Sequence, residues 1–146
     1  MSFGATKNGI AVGEAVVFFN RELAQEFDYR AKQGGQLASK MRFLAAPWVG
    51  ILRDGAWLRH ARHANAMARR LEAGIGGLPG VTQSYACQAN AVFVRMPQPL
   101  VQALSARGWM FYQMHCQEEF RLMCSWDTTE ADVDALLKNL MELAAK

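Results

Sequence analysis

The first 73 residues contain one stretch that resembles a β-strand, and one strand cannot form a sheet. The run "AVVFF", Ala15 to Phe19, is apolar and rich in β-preferring residues. This pattern predicts a strand buried on both faces, as in a parallel or mixed sheet. An isolated strand is unstable because its backbone donors and acceptors need partners. We therefore expect this half of the chain to join a sheet whose other strands lie elsewhere.

Helices are predicted for the rest of this half. Asn20 is a suitable N-cap for a helix that continues to about Gln33 and ends at Gly34–Gly35. A second helix is expected from about Gln36 to Arg53, and because it is apolar nearly all round we expect it to be largely buried. A third is predicted from about Ala56 to Ala73.

The second half has a different pattern. The segment "GIGGLPG", residues 74–80, is the best internal boundary, so we predict two domains, 1–73 and 74–146. Strands are expected at 90–96, 109–115 and 120–126, a short helix at 97–108, and a last helix capped by Thr128 or Thr129. The expected fold class is thus α/β to α+β, with a small, mostly antiparallel sheet backed by two helices in the second domain.

Composition and charge exclude several function classes. The net charge of +3 is mild and its basic residues are interspersed with acids, so no nucleic-acid partner is indicated. No apolar run approaches the length of a membrane span, and the N-terminus lacks the pattern of a signal peptide. Three widely spaced cysteines, Cys87, Cys116 and Cys124, favour a reducing, cytoplasmic compartment over a disulfide framework.

Lys7 is the first candidate for chemistry. It lies where a turn-rich loop precedes the apolar strand, and its neighbours are small. Desolvation by such neighbours would favour the neutral amine, which is the nucleophile in Schiff-base formation. The alternative is an ordinary solvated lysine, which is the more common case for any single lysine.

Arg121 is the second candidate. In "EEFRLMCSW" the residues Phe120, Leu122, Cys124 and Trp126 alternate with Arg121, Met123 and Ser125. If the first set faces the helices, Arg121 points from the opposite face, where its planar guanidinium can hold a carboxylate through two hydrogen bonds. The alternative is an exposed arginine paired with Glu118 or Glu119.

Other polar residues carry weaker signals. His60 and His63 share a helix face, but this spacing without a carboxylate is poor evidence for a metal, and we predict no metal site. His115 is expected to be structural or exposed. Lys32 and Lys40 flank the Gly-Gly break and could reach a phosphate, although exposed helix lysines are the more common case.

Three segments together resemble one family. They are "SFGATKNG", "KQGGQLASKMRFLAAPW" and "EEFRLMCSWDTTEADVDALL". They are similar to the C-terminal portion of the low-specificity L-threonine aldolase family, pyridoxal-phosphate enzymes of the beta-eliminating lyase group with the aspartate-aminotransferase fold. The resemblance runs from about Ser2 to the end of the chain.

The resemblance implies the site. Lys7 matches the lysine that holds pyridoxal 5'-phosphate as a Schiff base, with Thr6 beside it against the cofactor. Arg121 matches the arginine that holds the carboxylate of an amino-acid substrate. The implied reaction cleaves threonine or allo-threonine to glycine and an aldehyde. Where other branches of the family carry an arginine after a glycine-rich run, this chain has Ser39.

The resemblance also implies that part of the enzyme is absent. The family enzyme is more than twice as long, and its histidine over the cofactor ring, its aspartate for the pyridine nitrogen and its phosphate loop precede the lysine. We therefore expect a fragment, inactive alone, that forms a homo-oligomer (dimer or tetramer) or contacts a separate N-terminal fragment. The open alternatives are another β-eliminating lyase of the same fold group and a non-catalytic chain that only associates with a partner.

Overall fold

The computed structural model describes residues 1–114 and 118–145, so His115 and Cys116 lie outside the described residues. The chain divides into two units, Met1–Arg59 and His60–Lys146. The division falls inside a long helix, Ala56–Ile75. The domain boundary expected at residues 73 and 74 stays a prediction for the intact fold.

The described residues form six strands and five helices, together with 3-10 turns at Thr6–Asn8 and Glu22–Ala24. In chain order they are β1 (Ser2–Gly4), β2 (Glu14–Val16), α1 (Phe27–Gln33), α2 (Arg42–Arg53), α3 (Ala56–Ile75), β3 (Thr82–Gln83), β4 (Ala91–Arg95), α4 (Gln98–Ala106), β5 (Tyr112–Gln113), β6 (Glu119–Met123) and α5 (Glu130–Ala144). None of the helices in this described part of the chain is both long enough and apolar enough to cross a membrane.

The first unit begins with a two-stranded antiparallel ribbon. β1 pairs with β2 so that Phe3 lies opposite Ala15. The Phe3 ring packs edge-on against Trp48, at 5.0 Å between centroids, and against Trp57, at 5.6 Å. The two tryptophans therefore anchor the ribbon to the helices of its own unit.

The strand expected at Ala15 to Phe19 differs from the prediction in extent and surroundings. The observed strand covers Glu14–Val16, it pairs antiparallel, and none of residues 14–19 is buried. The partner that satisfies its backbone is β1, a segment too short and too rich in small residues to be predicted as a strand. The expectation of a strand buried on both faces is therefore wrong for this chain.

The helix expected from Asn20 to Gln33 is interrupted. The Asn20 side chain accepts a hydrogen bond from the backbone N–H of Glu22 at 2.9 Å, which starts a 3-10 turn. Glu26 then adopts a left-handed conformation with φ of 58°, so α1 begins only at Phe27. The predicted end is correct, since α1 ends at Gln33 and Gly35 has φ of 71°.

The second predicted helix begins later than expected and is not buried. α2 starts at Arg42 because Lys40 has a left-handed backbone, with φ of 58°. No residue of α2 is buried, and the Phe43 side chain is 66% exposed. The apolar sequence predicts a largely buried helix. This prediction is wrong for the chain, since the described residues leave α2 exposed.

The second unit contains the small antiparallel sheet that the sequence predicts. Its strand order is β3-β4-β6-β5 and every pairing is antiparallel. β3 has two residues, too few for a periodic pattern, and was not predicted. The strand expected at 109–115 is shortened to β5, while its last residue, His115, lies outside the described residues.

Helices α3, α4 and α5 pack on one face of this sheet. The buried apolar side chains of the sheet come from alternate positions, which are Val92 and Val94 in β4 and Phe120, Leu122 and Cys124 in and after β6. The helices contribute Met67, Ala68, Leu71 and Ile75, then Leu100 and Leu104, then Val133, Leu136, Leu137 and Leu140. Met141, four residues after Leu137 on α5, is half exposed.

The start of α5 is fixed by a capping box, as the threonine pair predicts. The Thr129 hydroxyl accepts from the Asp132 N–H at 3.1 Å, while the Asp132 carboxylate accepts from the Thr129 N–H at 2.8 Å. The hydrogen bonds from the Thr129 hydroxyl and N–H hold the pKa of Asp132 below its usual value. Arg70 of α3 forms a two-pronged pair with Asp134 at 2.9 and 2.8 Å, which joins the two helices at the surface.

Gly74 allows α3 and α5 to approach closely. A Cβ added at Gly74 would lie 2.3 Å from Cδ1 of Leu137, a side chain in the core. This distance is far below van der Waals contact, so a side chain at position 74 must displace Leu137. The glycine therefore has a packing role inside a helix, where glycine is otherwise unfavourable.

We predict that Gly74→Ala destabilises the chain. Overpacking a core costs about 1–3 kcal/mol, which exceeds the gain of about 1 kcal/mol from replacing glycine by alanine in a helix. The matched control is Gly76→Ala, where the nearest contact of the new Cβ is an ordinary 3.5 Å to the Ala73 carbonyl oxygen. Urea unfolding followed by circular dichroism measures both. Equal midpoints for Gly74→Ala and the wild type would contradict the packing role.

Candidate functional site

Lys7 is presented by a short, well-fixed turn. The carbonyl oxygen of Ala5 accepts from the N–H groups of Asn8, at 2.9 Å, and Ile10, at 3.2 Å. Ala5 and Ile10 are buried, and Gly9 closes the turn with a left-handed φ of 89°. Glycine adopts this conformation without strain. The "ATKNGI" sequence thus forms a loop with a buried base and Lys7 near its tip.

Within this chain the Lys7 and Thr6 side chains are both exposed. The small neighbours that were expected to desolvate the amine do not bury it in the described residues. The turn fixes the position of both groups. Two hydrogen bonds hold its backbone, and the Lys7 amine and the Thr6 hydroxyl come from adjacent residues on it. An amine and a hydroxyl donor suit, respectively, a carbonyl compound and an anionic oxygen.

Arg121 lies at the middle of β6, on the face of the sheet opposite the helices. Phe120 and Leu122, its neighbours along the strand, are buried against the helices, whereas Arg121 is half-buried. This is the alternation expected from the sequence. The register places Phe93 of β4 and Tyr112 of β5 directly opposite Arg121, one on each side.

The Arg121 guanidinium contacts an aromatic ring and carries a hydrogen-bond donor that is unsatisfied among the described residues. Its Cζ lies 4.9 Å from the centroid of the Tyr112 ring. Its Nε is buried and has no hydrogen-bond partner among the described residues. The ion pairs formed within 1–114 and 118–145 use Arg70 and Arg107, so the predicted alternative of a pair with Glu118 or Glu119 is not found there. A buried guanidinium N–H without an acceptor is costly and fits an anionic ligand.

Glu119 is a buried carboxylate. From the sequence it was expected only as a possible partner for an exposed Arg121. It is 5% exposed, and its Oε1 has no hydrogen-bond partner among the described residues. Its register partner on β4 is Arg95. Its burial depends on strand pairing that no local pattern shows, because glutamate is usually exposed.

The remaining candidate residues have structural contacts. The His60 ring lies 5.4 Å from the Trp126 ring, and Nε2 of His63 is 2.7 Å from the carbonyl oxygen of Thr128. These histidines therefore contact the segment before α5 rather than only solvent. Lys40 donates to the Ser39 hydroxyl at 3.5 Å, and Lys32 is exposed on α1. No cluster of three or more potential metal ligands occurs in the part of the chain that the structure describes.

The two cysteines that the structure describes, Cys87 and Cys124, are poor nucleophiles. Burial raises the pKa of the Cys124 thiol to about 11, and burial also raises the pKa of Cys87. Both pack in or against the core, as small apolar residues do. Cys116 lies outside the described residues.

A cavity of about 360 Å³ is present in the second unit, but it does not contain Arg121. It lies on the helix side of the sheet and is lined by Trp109, Phe111, Leu122, Cys124 and side chains of α3 and α5. Because Arg121 faces the other way, we assign the site from its chemistry rather than from this cavity. Lys7 belongs to the first unit and Arg121 to the second, and each is described within its own unit.

A model of the beta-eliminating lyase family matches residues 1–97, which include the Lys7 turn. The match covers well over half of the chain. The chain belongs to the beta-eliminating lyase family. This membership confirms the resemblance seen in the sequence and places the Lys7 turn within the region that defines the family.

Two relatives are much more similar than family membership requires. The low specificity L-threonine aldolase of Pseudomonas sp. (strain NCIMB 10558) is 56% identical over 140 residues, and the enzyme of the same name from Pseudomonas aeruginosa is 55% identical. In both cases the alignment covers 96% of this chain and 40% of the relative. The chain therefore corresponds to a C-terminal portion of proteins more than twice its length.

The fold is similar to that of a solved threonine aldolase. The structure from Leishmania major superposes with a TM-score of 0.83 and 25% sequence identity, covering 98% of this chain and 42% of the other. This similarity confirms the predicted fold group and the α+β character of the chain. The partial coverage agrees with that of the Pseudomonas relatives.

Proposed function

We propose that this chain is the C-terminal part of a pyridoxal-phosphate-dependent lyase that cleaves β-hydroxy-α-amino acids, such as threonine and allo-threonine, to glycine and an aldehyde. The observation that carries the proposal is the 56% identity to a low specificity L-threonine aldolase over 96% of the chain. Because this identity extends over nearly the whole chain, we infer that the Lys7 turn and the Arg121 strand have the same roles here as in the relative.

Pyridoxal phosphate, when bound, supplies an electron sink for the cleavage of a Cα–Cβ bond. In the proposed site the amine of Lys7 would hold this cofactor covalently. The hydroxyl of Thr6 would donate a hydrogen bond to an anionic oxygen of the cofactor. The exposed amine and hydroxyl on the fixed turn are the groups that fit this role.

Arg121 binds the substrate carboxylate in this proposal. A guanidinium can offer parallel N–H donors to both carboxylate oxygens, and the Nε of Arg121 has no hydrogen-bond partner among the described residues. A strand held on both sides by neighbouring strands is a rigid support for such a contact. Fixing the carboxylate fixes the orientation of the substrate, which is how a binding residue can affect the rate of bond cleavage.

A second candidate is a β-elimination, as the family description itself suggests. The two reactions use the same cofactor lysine but release different products. Aldol cleavage of threonine gives glycine and acetaldehyde, whereas elimination of water gives ammonia and a keto acid. A single product assay therefore distinguishes them.

The experiment uses a hybrid in which the part of the Pseudomonas sp. relative that precedes the aligned region is fused to this chain. We expect the hybrid to release glycine and acetaldehyde from threonine. Arg121→Lys keeps the charge but loses the planar fork, so it should raise KM and lower kcat while leaving cofactor absorbance nearly intact. Release of ammonia without glycine would favour the second candidate. Equal loss of cofactor and activity in Arg121→Lys would instead make the residue structural.

We further propose that the first unit is covered by the preceding part of the protein or by another copy. Large apolar side chains there are exposed, including Phe19 at 84% and Leu23 at 71%, in addition to Phe43. Monomeric proteins rarely leave so much apolar surface open to water. We also propose the cytoplasmic location that the cysteine pattern favours.

We predict that the isolated chain self-associates. Multi-angle light scattering at low salt should give a mass above that of the 16.3 kDa monomer. Phe43→Ser, which removes an exposed ring from α2, should shift the distribution toward the monomer, whereas Tyr85→Ser in the second unit should not. A clean monomer peak for the wild type would contradict the proposal.

A further inference from the structure

The guanidinium of Arg121 lies over an aromatic ring, and none of the ion pairs found among the described residues includes it. Tyr112 lies opposite it in the β5–β6 ladder, and the Cζ-to-centroid distance is 4.9 Å. Directly opposed residues of an antiparallel pair point to the same face of the sheet. The strand register therefore places the two side chains next to each other on the same face of the sheet.

Contact with an aromatic ring and carboxylate binding make different demands on the guanidinium. The attraction to the Tyr112 ring acts on the positive charge, whereas a carboxylate needs the N–H donors that radiate in the plane of the group. A glutamate partner would occupy those donors, whereas an aromatic partner leaves them available. The Nε of Arg121 is buried and has no hydrogen-bond partner among the described residues, so this donor is left for a ligand.

We propose that Tyr112 is a positioning residue that orients the Arg121 guanidinium for a carboxylate ligand. This inference rests on the proposed function of Arg121 and extends it to a residue that does not touch the substrate. The phenol oxygen has no part in it, because the ring face supplies the attraction. Phenylalanine at position 112 should therefore replace tyrosine, and an aliphatic side chain of similar bulk should not.

The chain offers a matched control in Tyr85. This tyrosine is 62% exposed and Tyr112 is 61% exposed, and both lie in the second unit. The Tyr85 ring packs edge-on against Phe93 at 5.9 Å, not against the guanidinium. Tyr85→Leu removes as much exposed aromatic surface as Tyr112→Leu, so a difference between the two variants reports the contact with Arg121.

The first test is made on the chain itself and needs no cofactor. The Nε–Hε resonance of Arg121 is assigned by its loss in Arg121→Lys and followed by ¹⁵N NMR. Ring current from Tyr112 should shift this resonance upfield, and Tyr112→Leu should move it downfield while Tyr112→Phe and Tyr85→Leu leave it in place. An unchanged Arg121 resonance in Tyr112→Leu overturns the proposal.

The second test measures carboxylate binding. Acetate is titrated against chloride at constant ionic strength, with the Arg121 resonance as the probe. Loss of an exposed cation–π contact lowers affinity about two- to fivefold. Tyr112→Leu should therefore bind acetate about two- to fivefold more weakly than the wild type. Tyr112→Phe should bind acetate within about twofold of the wild-type affinity. Equal acetate affinity in wild type and Tyr112→Leu overturns the positioning role.

The same variants separate this inference from the function on which it rests. In the hybrid enzyme, Tyr112→Leu should raise KM for threonine about two- to fivefold with little change in kcat, and Tyr112→Phe should restore the wild-type KM. If Arg121→Lys impairs threonine binding and Tyr112→Leu does not, only the role of Tyr112 fails. If Arg121→Lys leaves threonine binding unchanged, the role of Arg121 itself fails, and this inference fails with it.

Discussion

The pairing of β4 with β6 is the constraint on which the second unit depends. Its register sets Val92 opposite Leu122 and Val94 opposite Phe120, which brings the buried side chains of two strands onto one face. The same register sends Arg121 to the other face. A slip of one residue would exchange the two faces, placing Arg121 in the core and the apolar residues in water. The core and the proposed carboxylate site are therefore fixed by one set of backbone hydrogen bonds.

This dependence explains why Arg121 can be held half-buried although the ion pairs within residues 1–114 and 118–145 do not include it. The helices α3, α4 and α5 stabilise the sheet from one side, so the outer face need not contribute to the core. That face can instead carry Arg121, Tyr112 and Phe93 in one row across three strands. The free energy of folding comes mainly from the buried side, and the outer side is available for ligand contacts.

The sequence predicted those features whose cause is local or periodic. The alternation of Phe120, Leu122 and Cys124 predicted which face of β6 is buried. The threonine pair Thr128 and Thr129 predicted the start of α5, where the structure has Thr129 as the cap. Features that depend on distant partners were missed. β1 was not predicted because its pairing with β2 is decided by contacts with Trp48 and Trp57, and the burial of α2 was overestimated because an apolar helix need not be covered within its own chain. The role of Tyr112 depends on register, which no window of sequence contains.

The central claim of this account is that Lys7, on its fixed turn, is the residue that holds pyridoxal phosphate. The hybrid protein should be loaded with pyridoxal phosphate, reduced with borohydride, digested and mapped by mass spectrometry. The account predicts a pyridoxyl group on the peptide that contains Lys7, and no labelled peptide of this chain in a Lys7→Ala variant. A label on Lys32 or Lys40, with Lys7 unmodified, would contradict it.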